Sequence, residues 1–228
     1  MSNWLAAPRA AFDVETTGRD PFDARLVTAS IVLVDPDGSI LESHEWLADP
    51  GVEIPLQAAQ IHGISTARAQ AEGRPVAQVT AGILEVLAGY FTRGLPVTAF
   101  NASYDFTVLA LEAARHGLRQ LEAAPVTDPF IMDKQVDRFR KGKRTLEASC
   151  QHYGVPLIDA HTSAADALAT VRLAAVMIEQ YPELQLNAME LHRAQIRWAA
   201  EQAASFQEYL RSQGKIDAVI DGTWPVKR

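Results

Sequence analysis

Two acidic side chains raise the first chemical question. In the stretch FDVETTG, Asp13 and Glu15 stand two positions apart between the apolar Phe12 and Val14, and the run closes at Gly18. In a strand, successive side chains alternate faces, so Asp13 and Glu15 share one side while Phe12 and Val14 take the other. Two unit charges ~4 Å apart repel by on the order of 4 kcal/mol at an effective dielectric of 20, and apolar neighbours raise that cost. Two arrangements relieve it: a strand end open to water, or a cation held between the carboxylates.

More carboxylates occur in similar settings. In NASYDFTVL, Asp105 falls in the first turn of an expected helix, where the macrodipole favours an acid, and Asn101 or Ser103 is placed to cap. In HTSAADALAT, Asp166 follows Ser163 by three residues, the spacing of a capping box, which would leave His161 a loop residue. His161 and Asp166 are five apart, about 140° around a continuous helix, so they would not share a face. If both serve one site, His161 sits on the loop and Asp166 in the first turns of the helix. A solvent-facing imidazole there could accept and release a proton.

The elements that must position these groups follow from the apolar patterning. AFDVE, LVTASIVLV (Leu26 to Val34) and SILESHEWL (Ser39 to Leu47) read as strands, the last two joined by the turn signal DPDG, so the chain opens as an antiparallel meander. A helix over Val76 to Phe91 precedes a strand at Val97 to Phe100, and Ser103 to His116 is helical with Phe106, Leu109 and Ala110 on one face. APVTD reads as a fifth, brief strand. Helices follow at Pro129 to Arg138, Thr145 to Tyr153 and Ser163 to Gln180. This order suggests an α/β fold, a mixed sheet with helices packed on it. YPEL (Tyr181 to Leu184) interrupts the pattern. Beyond it Asn187 to Leu210 regains helical spacing, with Ala199, Ala203, Phe206 and Leu210 forming a stripe that either packs on the main domain or docks a protein partner.

Composition narrows the function classes. With 228 residues and 48% apolar content the chain can bury a real core. A net charge of −7 argues against coating duplex nucleic acid over the whole surface, and the one basic cluster is RFRKGKR, Arg138 to Arg144, read either as a solvated loop or as a phosphate-steering patch. The lone Cys150 excludes an internal disulfide and a cysteine-cage zinc site. No apolar run nears the ~20 residues that span a bilayer, and the N-terminus lacks a signal-peptide pattern. We therefore expect a cytoplasmic protein that does not engage membranes.

Taken together, FDVETTG, NASYDFTVL and HTSAAD resemble, in order and spacing, the three motifs of the DEDD exonuclease superfamily in its DEDDh branch, the family of the proofreading subunit of bacterial replicative polymerases. The resemblance runs over roughly residues 9 to 180 and includes IHGI (Ile61 to Ile64) and GKRTLEASCQHYGV. It implies an RNase H-like fold with a mixed five-stranded sheet flanked by helices, an exonuclease domain over 1–180 and a C-terminal helical extension over 181–228. It also implies metal-dependent hydrolysis of single-stranded DNA or RNA from the 3′ end, releasing nucleoside 5′-monophosphates. By motif position Asp13, Glu15, Asp105 and Asp166 would hold two divalent ions, Mg2+ or Mn2+, with His161 as general base. Thr16, Thr17, His62 and Asn101 would contact substrate.

One departure stands out: many relatives carry a histidine directly before NA, where this chain has Phe100. No clamp-binding peptide is legible, so proofreading within a polymerase complex has no support in the sequence. A catalytically silent nucleic-acid-binding module of the same fold is the competing expectation.

Overall fold

The computed structural model describes residues 4–157 and 162–228. Strands β1 (Arg9–Thr16), β2 (Leu26–Val34) and β3 (Ile40–Asp49) form the antiparallel meander, with Phe12 opposite Ile31 and Ala29 opposite Trp46. Two further pieces, β4 (Arg74–Pro75) and β5 (Val97–Thr98), pair parallel with β3 and β1, and β6 (Val126–Thr127) pairs parallel with β5. The resulting mixed sheet has the order β4-β3-β2-β1-β5-β6. The five expected strands are all present, and β4, two residues long, makes the sixth.

Helices α1 (Leu56–His62), α2 (Thr66–Glu72), α3 (Val76–Thr92), α4 (Ser103–Arg115), α5 (Pro129–Val136), α6 (Leu146–Tyr153), α7 (Ser163–Gln180) and α8 (Ala188–Ser212) complete the fold. The Phe12 and Val14 face of β1 joins Ile31 and Leu33 in a core closed by Ile83 and Leu87 of α3 and by Phe106 and Leu109 of α4. On the opposite face Ala11 and Val32 pack against Ala167 and Val171 of α7. Small side chains at Ala11 and Ala167 bring helix and sheet close. Because Asp13 and Glu15 share the Ala11 face, the alternation turns them toward the helix that carries Asp166.

Helices α1 and α2 fall between the third expected strand and the helix at Val76, where the apolar patterning predicts no element. Each is seven residues long, under two turns, too short for a readable apolar period. Local signals do exist. Ser65 accepts a hydrogen bond from Arg68 N–H at the start of α2, and Gly73 ends it where an added Cβ would lie 2.4 Å from Ala69 O and 2.6 Å from Asp49 N. His62 is the last residue of α1.

The sheet edge at β6 is covered in an unusual way. Val126 N–H donates to His192 Nδ1 at 3.1 Å and Asp128 N–H to Gln195 Oε1 at 2.7 Å, while Gln195 Nε2 donates to Val126 O at 3.1 Å. His192 and Gln195, three apart on α8, thus supply side-chain partners where another strand would supply backbone. The outer side of α8 leaves Ile196, Phe206 and Tyr209 exposed. No helix among the described residues is long and apolar enough to cross a membrane.

The basic stretch divides between two roles. Arg140 and Arg144 turn inward onto the fully buried Asp133, Arg140 Nη2 at 2.7 Å, with Tyr153 Oη donating to the same carboxylate at 2.8 Å. Burial pushes the Asp133 carboxyl up, but these three donors outweigh it and hold the group below its ordinary value. Arg138, Lys141 and Lys143 remain exposed.

Replacing Gln195 by Leu strands a buried N–H of Asp128 and a buried C=O of Val126. We expect a loss of about 1–3 kcal/mol in urea unfolding with an unchanged m-value. A cost under a few tenths of that would mean the edge is not held this way.

Candidate active site

The site forms where β1 ends. The register of β1 against β2 slips between Glu15 and Thr16, an irregularity that breaks the ladder just beyond the second carboxylate. One oxygen each from Asp13, Glu15 and Asp166 lie within 4.8 Å of one another. Asp166 occupies the first turn of α7, whose N-cap is Thr162, accepting from Ala165 N–H at 3.4 Å, and not Ser163 as the capping-box spacing suggested. Thr162 precedes the helix in extended conformation, so it is the residue whose hydroxyl can fold back on the first turn.

Asp105 joins the cluster from α4 by another route. It caps no helix end: the N-cap of α4 is Ala102, with no side-chain cap, and Asp105 Oδ1 instead accepts from Val14 N–H of β1 at 3.1 Å. This bond fixes the strand between Asp13 and Glu15 against α4. Asp13 is pushed well above the ordinary carboxylate range, first by burial and then by the charges of Asp105, Glu15 and Asp166. Burial and Asp166 push Glu15 up to about 7. Burial raises Asp105 too, against hydrogen bonds from its own backbone and Val14 that favour the anion. Asp13, Glu15 and Asp105 are brought together at such cost beside Asp166, and the four form a donor set of hard oxygens suited to a divalent cation.

A cleft of roughly 710 Å3 opens beside these groups, lined by Glu15, Thr16, Thr17 and Gly18 on one side, Ile61 and His62 of α1 on another, and Tyr104. Thr16 and Thr17 are both engaged in building the turn. Thr16 Oγ1 donates to Gly18 O at 2.8 Å and meets Tyr104 Oη, and Thr17 Oγ1 accepts from Arg25 N–H at 2.9 Å. Burial carries the Tyr104 hydroxyl up to about 12, so it stays a neutral donor and acceptor. His62 Nδ1 accepts from Ile64 N–H at 3.2 Å, which leaves the proton on Nε2. That atom is buried with no well-formed hydrogen bond among the described residues, although the Thr16 carbonyl near the ring partly offsets the lowering of the His62 pKa by burial. The ring lines the cleft while its Nε2–H stays buried beside the Thr16 carbonyl. Asn101 is not among the cleft-lining residues; it adopts φ +60°, and its N–H donates to Asp128. His161 lies outside the described residues.

Asp128 is the functional residue that sequence reasoning passed over. Fully buried at the end of β6, it accepts hydrogen bonds from Asn101 N–H and Ala102 N–H at 2.9 Å each, Phe130 N–H at 3.0 Å and Trp224 Nε1 at 3.2 Å. One carboxylate therefore ties the turn entering α4, the start of α5 and the C-terminal tail. Burial raises it to about 6 despite these donors. The Asp-Pro pair in VTDP was the available signal: an N-cap followed by proline at the first helical position.

Residues 10–174 match the family described as exonuclease. Among solved structures, E. coli exonuclease I in complex with a dA16 oligonucleotide is similar at TM-score 0.66 and 19% identity, over 78% of this chain and 42% of that one. Exonuclease I from Methylocaldum szegediense gives TM-score 0.62 at 20% identity, with the same coverage of each chain. E. coli exonuclease I has also been solved in a zinc-bound complex with single-stranded DNA, similar at TM-score 0.65 and 18% identity over 78% of this chain and 42% of that one. This chain thus spans about two fifths of the length of those proteins. No curated protein matches the sequence.

In the metal-free protein at alkaline pH, where the cluster is driven to ionise, Asp13→Asn removes one of the mutually repelling charges. We expect its melting temperature to rise, by roughly 2–4 °C for each ~1 kcal/mol relieved, while the stabilisation that Mn2+ gives the parent protein disappears. A variant that melts lower without metal and still gains from Mn2+ would contradict the cation-site assignment.

Proposed function

We propose, since this chain belongs to the exonuclease family, that it hydrolyses single-stranded DNA or RNA stepwise from the 3′ end and releases nucleoside 5′-monophosphates. The observation that carries this reading is the convergence of Asp13, Glu15 and Asp166 within 4.8 Å of one another, with Glu15 lining a cleft. We assign the holding of two divalent ions, Mg2+ or Mn2+, to these three residues and Asp105. Bound there, such ions would acidify a water and stabilise the leaving 3′ oxygen.

The chain's own groups have distinct tasks in this reading. Asp105, through Val14 N–H, sets the height of β1 so that Asp13 and Glu15 present to α7. The turn built by Thr16, Thr17 and Gly18 forms one wall of the terminal nucleotide's seat, and Ile61 and the ring of Tyr104 supply apolar surface for sugar and base. His62 contacts that nucleotide through the part of its ring that lines the cleft. Asn101 acts through its backbone, held by Asp128. His161 takes the proton of the attacking water, as its motif position implies. A reducing compartment such as the cytoplasm suits the buried, unpaired Cys150.

The test uses 5′-labelled DNA and RNA oligonucleotides of matched sequence, with Mg2+, Mn2+ or EDTA. A descending ladder in metal alone supports the reading; internal cuts or no product would replace it with the silent binding module. Asp166→Ala should abolish turnover, and His161→Ala should slow it about 100-fold or more while leaving metal-induced stabilisation intact.

A further inference from the structure

The loop between α5 and α6 displays an aromatic ring amid unpaired cations. Phe139 is 88% exposed, and the Arg138 guanidinium lies 6.0 Å from its ring centre. Lys141 and Lys143 are exposed on the same loop, and none of these three cations takes part in an ion pair among the described residues. The loop is held rather than loose. Arg140 and Arg144 anchor it to the buried Asp133, Arg144 Nη2 donates to Asp137 O at 2.5 Å, and Gly142 takes a φ of +97° that lets the chain reverse. Two of the stretch's five cations are thus turned inward, and their anchoring presents Arg138, Lys141 and Lys143 to solvent in a protein whose net charge is −7.

The same character continues toward the site. Lys134 Nζ sits 4.8 Å over the half-buried ring of Phe130, which packs 5.8 Å from Phe100. Phe100 immediately precedes Asn101 and the turn into α4, the helix that carries Asp105. Rings alternating with ammonium and guanidinium groups, from the entrance of α4 to the α5–α6 loop, match what a flexible polyanion with flat bases requires: stacking platforms beside phosphate partners. A protein ligand would find few apolar pockets here, and a duplex would demand a broader positive face than three cations give.

We propose that the α5–α6 loop, continued by Phe130 and Lys134, is a track for single-stranded nucleic acid on the 5′ side of the reacting nucleotide. Only the polarity of the strand rests on the exonuclease reading; binding of the strand does not. Bases stack on Phe139 and Phe130, while Lys141, Lys143 and Arg138 meet phosphates. Affinity then grows with strand length beyond the few nucleotides that the cleft itself holds.

The experiment measures binding of fluorescein-labelled dT20 and dT3 by anisotropy in EDTA over a series of salt concentrations, and hydrolysis of both in Mg2+. The proteins are the full chain, Phe139→Ala, Lys141→Glu/Lys143→Glu, and Lys215→Glu as a charge control on the exposed C-terminal segment. We expect the double variant to bind dT20 at least 10-fold more weakly and to lower the salt slope by about 0.7 for each phosphate contact removed. Phe139→Ala should lose severalfold on dT20 at unchanged salt slope, since a ring carries no charge. Both should raise KM on dT20 far more than on dT3, with kcat little changed, and Lys215→Glu should leave the ratio between the oligomers as it is. Equal affinity for dT20 in parent and variants, or equal losses on both lengths, overturns the proposal. If the parent protein binds dT20 through this loop yet yields no product in Mg2+, the exonuclease reading fails and the track stands.

Discussion

The repulsion among Asp13, Glu15 and Asp166 is imposed by backbone geometry, and the rest of the structure is arranged so that it cannot relax. Alternation along β1 puts the first two on one face, and α7 lies on that face because Ala11 and Ala167 are small enough to admit it. Pairing with β2 at Asp13 and Glu15, and the Val14 N–H bond to Asp105 between them, prevent the strand from rotating the acids away. In water the three groups would separate; here they stay within 4.8 Å, with Glu15 raised to about 7. Such an arrangement favours whatever neutralises it, a proton or a cation, and its hard oxygens suit a divalent ion.

A second buried carboxylate does the opposite work. Asp128 is surrounded by four donors and organises backbone rather than charge. Through Asn101 and Ala102 it fixes the turn that launches α4, and through Trp224 it connects that turn to the C-terminal tail. The tail runs back along α8, close enough at Gly222 that an added Cβ would meet Ala200 Cα at 2.9 Å, and Lys227 N–H ends on Thr107 Oγ1 of α4 at 2.9 Å. With His192 and Gln195 covering the β6 edge, the segment after residue 180 contributes to the placement of Asp105. The helix stripe noted in the sequence has its partner surface in part here, since Trp198 and Ala199 pack against the main core.

Charge is distributed with similar economy on the far side of α5. Asp133 holds two arginines inside the protein, and the loop they stabilise exposes the remaining cations next to a solvent-facing phenylalanine. An overall negative surface keeps polyanions away from most of the molecule, so a local positive strip gains contrast from its surroundings. The site and the loop are joined by Phe100 and Phe130, the first of which stands where many relatives carry histidine.

Chain-local patterns were readable without coordinates. The meander, the long helices α3, α4 and α7, and the shared face of Asp13 and Glu15 follow from periods of 2 and 3.6 that need no distant partner. The three motifs were likewise legible as ordered spacings. The short helices α1 and α2 and the two-residue β4 were not, because elements under two turns or three residues carry no period and exist through the surfaces that receive them. Nor could the sequence say that Asp105 bonds Val14 across 91 positions, that Thr162 and not Ser163 caps α7, or that Arg140 and Arg144 face inward. Those outcomes depend on which groups approach once the chain closes, since a carboxylate or guanidinium takes its role from the charge and burial of neighbours far away in sequence. Residue type and spacing determined what could bind a cation; only packing decided which oxygens meet.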